Sequence, residues 1–122
     1  MAELDRILGE AEGTHRQMQD AVKASQTGTS HEILRLRTRF ATLTAEMLGA
    51  AKSDPRLQRQ PELAREFESR FGEMRRSLIQ HQGRWHGTEI DEDPEAYRQA
   101  GDALGQQQEQ FYSWAKDALS HL

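Results

Sequence analysis

The 122-residue chain has no cysteine. That excludes disulfides, thiolate metal centres, thiol catalysis and covalent c-type haem attachment. Asparagine is also absent, and 3 lysines stand against 13 arginines and 14 alanines. GC-rich codons produce such a bias, so a high-GC bacterial genome is the expected source. No apolar run approaches the roughly 18 residues needed to cross a bilayer. The opening Met1-Ala2-Glu3-Leu4-Asp5-Arg6 has no apolar core of a secretory leader, and with no cysteine the expected location is the cytoplasm. Alternating strand-like patterns and internal repeats of 20–50 residues are missing as well.

What is present is polar. Hydrophobic residues make up 35% and charged residues 30%, enough apolar side chains for one domain with a modest core. The net charge of −4 argues against a nucleic-acid partner. It is unevenly spread, with a basic middle (residues 30–86) and an acidic tail (87–122). Such a dipolar chain attracts its own halves or steers a charged partner.

Apolar residues recur at alternating three- and four-residue steps, the mark of amphipathic helices. The spacing predicts four of them, over about 2–25, 30–53, 61–86 and 94–121. In the first, Leu4, Leu8, Ala11, His15, Met18 and Val22 share a seam, and Gly9 and Gly13 suggest a close helix contact. Gln26-Thr27-Gly28 breaks the pattern, and Thr29 with Glu32 forms a capping box for the second helix. There Ile33, Leu36, Phe40, Leu43, Met47 and Ala50 align, widened by Leu34 and Leu48. Asp54-Pro55 ends that helix, and residues 54–60 read as a polar connector. Pro61 opens the third helix, with Leu63, Phe67, Phe71, Met74, Leu78, His81 and Trp85 on one face. Residues 87–92 read as a loop. Asp93-Pro94-Glu95 combines an N-cap, a first-turn proline and an acid at the positive helix end. The fourth helix carries Tyr97, Ala100, Leu104, Phe111, Trp114 and Ala118, with Leu119 and Leu122 beside them. Short connectors make successive helices antiparallel neighbours. The expected fold is therefore an all-α, up-down-up-down antiparallel four-helix bundle with coiled-coil-like seams. A homodimer could complete or extend it.

No catalytic constellation appears, so no enzyme activity, cofactor or metal is expected. Glu12-Gly13-Thr14-His15 matches half of a di-iron Glu-x-x-His pattern, but Leu78 stands three residues before His81 where a second acid is required. Ser30-His31-Glu32 lacks the sequel of a phospho-acceptor box. The acids from Glu89 to Glu95 lack the spacing and central glycine of a calcium loop. Two functional readings follow. One is a protein–protein interaction module, an adaptor, regulatory subunit or small chaperone, resembling flagellar and secretion chaperones in general form. Its docking set would be Arg75, Arg76, Arg84, Trp85, Tyr112 and Trp114, because exposed aromatics beside arginine make good interface anchors; Tyr112, off the main seam, is expected to be exposed. The alternative is a bundle binding a ligand, haem or metal through the core histidines His15 and His81.

Overall fold

A computed structural model describes residues 2–23 and 29–122, the side chains of 2, 29 and 30 excepted. The chain is all-helical, and six helices follow one another: α1 (Ala2–Lys23), α2 (Thr29–Ser53), α3 (Pro55–Gln58), α4 (Pro61–Arg84), α5 (Gly87–Glu92) and α6 (Pro94–Ser120). The expected end of the first helix near residue 25, the break at Gln26-Thr27-Gly28 and the Thr29 side of the capping box lie outside the described residues. The Glu32 carboxylate is held by Arg35, at 2.6 Å.

The four long helices form where the seams predict them, and each long helix touches two others. α1 lies against α2 and α6, α4 against α6, and α2 more lightly against α4. Leu4, Ile7, Leu8 and Ala11 of α1, Phe40, Leu43 and Met47 of α2, Phe67, Phe71, Met74 and Leu78 of α4, and Phe111, Tyr112, Ala115 and Leu119 of α6 form one core, buried within a single chain. Leu104 packs half-buried against it. A smaller cluster of Ile33, Trp85, Ile90 and Tyr97 is buried between α2, the α4–α5 junction and α6.

Both connectors taken as irregular are helical turns. α3 forms because Asp54 is extended, as a residue before proline must be, and its carboxylate accepts from the Arg56 amide at 2.9 Å. Leu57 anchors it in the core. Arg56 ties the turn to α1, with Nη2 2.8 Å from Asp54 and 2.9 Å from Asp5. α5 forms over the expected loop 87–92 because Ile90 is apolar enough to pin one turn against Ile33 and Tyr97. The α6 start behaves as expected: Asp93 caps the Ala96 amide at 3.1 Å behind Pro94.

Three seam assignments shift. Leu34 is 39% exposed, and Ala51 rather than Ala50 is buried. The second buried row of α6 runs Gly105, Gln108, Tyr112, Ala115 and Leu119, a 3-4-3-4 spacing hidden from an apolar search by its glycine and glutamine. Gly9 and Gly13 do not mark a close approach: a Cβ at either would meet nothing within 4 Å.

Candidate functional site

Sequence periodicity puts two polar residues into the wall between helices, and the structure adds more. A partly enclosed cavity of about 70 Å³ lies between α1, α2, α4 and α6. Met18, Val22, Leu78 and Leu104 supply apolar wall; His15, Arg37, His81, Tyr97 and Gln108 supply polar groups. His15 and His81, far apart in the chain, thus line the same space.

Arg37 is the residue that reading by hydrophobicity misses. It falls one position after Leu36 on the buried side of α2 and is only 9% exposed. Its Nη1 donates to the Trp85 carbonyl at 2.6 Å, a charge-assisted bond at the carbonyl end of α4, where a cation is favoured. Its guanidinium carbon sits 5.9 Å from the Tyr97 ring centre. Its Nη2 is buried and has no hydrogen-bond partner. The sequence signal was available: Arg37 is in register with Ile33, Phe40 and Thr44, all buried.

Two further buried polar atoms around the cavity are unmatched, His15 Nε2 and Gln108 Oε1, on side chains 5% and 1% exposed. The Gly105 backbone approaches His15 closely enough to favour its protonated form slightly, but no hydrogen bond of normal geometry forms at Nε2. Gly105 permits that approach. A Cβ there would fall 2.8 Å from Gln19 Nε2, the far end of a flexible side chain, and in ordinary contact with the His15 ring at 3.6 Å, so a methyl group at 105 asks only that the Gln19 amide move.

The histidine chemistry follows from burial. Desolvation pushes His81 down to about 4, and the Arg37 charge adds to it; its ring stacks on Tyr97 at 5.3 Å. His15 is also lowered by burial, against the opposing pull of Glu109. Both are neutral imidazoles at pH 7. Burial raises the Tyr97 hydroxyl, opposed by the Arg37 charge and by a hydrogen bond from Arg37.

Metal chemistry finds no support in the chain's donors: among the described residues no group of three His, Asp or Glu could hold an ion. Glu12, the acid of the half motif, is held by Lys116 at 2.7 Å and Arg16 at 3.3 Å.

The docking set separates. Tyr112, expected to be exposed, is 0% exposed because its row of α6 packs on α1 through Gly105. Trp85 is buried beneath the α4–α5 junction, where Arg84 covers its ring at 5.3 Å. Trp114 is half-buried, with Arg70 4.5 Å over its ring and Glu66 paired to that arginine. Arg75, Arg76 and Arg84 are exposed.

The Tyr112 hydroxyl is itself buried without a partner, a desolvation penalty of about 1–3 kcal/mol. Tyr112→Phe is therefore expected to stabilise the protein by about 1 kcal/mol in urea unfolding. A loss of similar size would show that the hydroxyl is hydrogen-bonded in solution.

No known family, curated protein or solved structure matches this chain.

Proposed function

We propose that this protein is a non-catalytic, antiparallel four-helix bundle that binds a small molecule in the cavity between α1, α2, α4 and α6. The observation that carries the reading is the convergence of three buried polar side chains, His15, Arg37 and Gln108, on one space, each with a nitrogen or oxygen that lacks a hydrogen bond of normal geometry. Buried polar groups are normally hydrogen-bonded, and a group of exceptions calls for an explanation. A ligand that supplies the missing partners is one. Small-molecule sites in bundles have this character: mostly apolar walls between helices and a few converging polar groups. The cavity is about five times the ~10–15 Å³ that one water requires, room for a fragment of roughly five heavy atoms.

The protein-docking reading, as adaptor, regulatory subunit, chaperone or homodimer, has weaker support. Its aromatic anchors are covered, and Ile79, 56% exposed on the face of Arg75 and Arg76, is an ordinary isolated apolar side chain.

Gly101 lines the cavity, and a Cβ there would meet nothing within 4 Å. Gly101→Leu should fill the space and improve α6 by about 0.5–1 kcal/mol of helix propensity. Fragments screened by amide NMR are expected to shift signals of cavity residues in the native protein and not in Gly101→Leu, which stays folded by circular dichroism. Fragments that never cluster at these residues, or that bind Gly101→Leu equally, refute the proposal.

A further inference from the structure

The cavity is not neutral in its demands. A guanidinium taken out of water is costly unless it is paired with an opposite charge, and the described partners of Arg37 are neutral, the Trp85 carbonyl and the Tyr97 hydroxyl. The other charged groups on the cavity wall are Lys23, Arg98 and Asp102, two cations against one acid. His15, His81 and Gln108 can each adapt: either imidazole nitrogen, or either end of the amide, can be the donor. We infer that the ligand is a small organic monocarboxylate, its carboxylate taken by the Arg37 guanidinium and its short apolar body lying on Met18, Val22, Leu78 and Leu104. This rests on the cavity being a ligand site and adds what the ligand must be.

Charge count and wall chemistry favour a carboxylate over a phosphate. A planar guanidinium edge matches two carboxylate oxygens. A phosphate carries three acceptor oxygens and up to two charges, whereas four apolar side chains border the space and would strip water from those oxygens without replacing it. A monocarboxylate of three or four carbons meets both surfaces at once. The two anchoring sides come from different helices, Arg37 from α2 and the apolar wall from α1, α4 and α6, so binding would tie all four together.

The test is a titration of the protein at pH 7, followed by amide and arginine side-chain NMR, with propionate, propanamide, 1-propanol and inorganic phosphate at matched ionic strength. Propionate is expected to bind at least tenfold more tightly than propanamide and 1-propanol, and to shift the Arg37 Nε signal. In Arg37→Met that preference should collapse to within twofold while the uncharged compounds bind as before. Arg37→Lys should keep part of it. Propanamide matching propionate in the native protein would overturn the carboxylate inference and leave the cavity reading intact. Phosphate binding more tightly than propionate would also overturn it. Failure of all four to move any cavity signal up to 50 mM, together with failure of the fragment screen, would remove the cavity reading itself. The native-protein series decides the matter even if Arg37→Met does not fold.

Discussion

Phe40→Ala should lower the unfolding free energy by about 3–5 kcal/mol, the range for deleting a large buried aromatic. Phe40 is fully buried in α2 and belongs to the core cluster that joins α1, α2, α4 and α6. Truncation removes the transfer free energy of the ring and leaves a void that the rods on each side cannot close without bending. Against a total of about 5–15 kcal/mol for a domain, this is a large fraction, and the melting temperature should fall by more than 10 °C. Leu34→Ala in the same helix is the control. Leu34 is 39% exposed, so its loss should stay below about 1 kcal/mol. Urea unfolding followed by circular dichroism measures both, and equal effects of the two substitutions would contradict the assignment of the α2 face.

Acidification should cost stability between pH 6.5 and 4, before most carboxylates protonate. His81 has a folded pKa of about 4 and an unfolded one near 6.5. Between these values the unfolded chain binds the proton and the folded chain does not, so stability falls as pH drops through that window and is fully present above it. At about 1.4 kcal/mol per unit, the ceiling is roughly 3 kcal/mol, and His81, only partly buried, should deliver on the order of 2. His15 is shifted the same way by its burial and adds to the loss. Below about pH 4 a second contribution begins: the Arg56 hydrogen bond holds Asp54 below the usual carboxylate range, and that stabilisation disappears as Asp54 protonates. The measurement is the melting temperature from pH 7 to 4.5 for the native protein and for His81→Gln and His15→Gln. A steep native slope that flattens in the variants is expected. A flat native curve would mean that neither histidine is buried neutral.

How much of this was legible follows from what periodicity records. It locates greasy residues, so Leu8, Phe40, Met74 and Phe111 fall on the buried sides of their helices, and Asp93 with Pro94 marks the start of α6. It is blind where a buried row is built from other residues. Gly105 and Gln108 interrupt the second row of α6, so Tyr112 was assigned to the outside although it faces α1. Arg37 was passed over because arginine is rarely buried; only the tertiary contact to the Trp85 carbonyl makes sense of it. The short turns α3 and α5 look like loops in the sequence because one apolar anchor each, Leu57 and Ile90, leaves no period to detect. His15 and His81 were singled out individually, and their meeting at one cavity depends on how α1 and α4 are brought together, which no local pattern encodes.

The meeting of α6 with α1 at Gly105 has a consequence for how the chamber can change. At the His15 end α6 presents bare backbone to side chains of α1, and a methyl group at 105 would displace only the flexible Gln19 amide. The chamber can therefore be narrowed from α6 one residue at a time, at 101 and then at 105, so ligand size is tunable by single side chains without moving a helix.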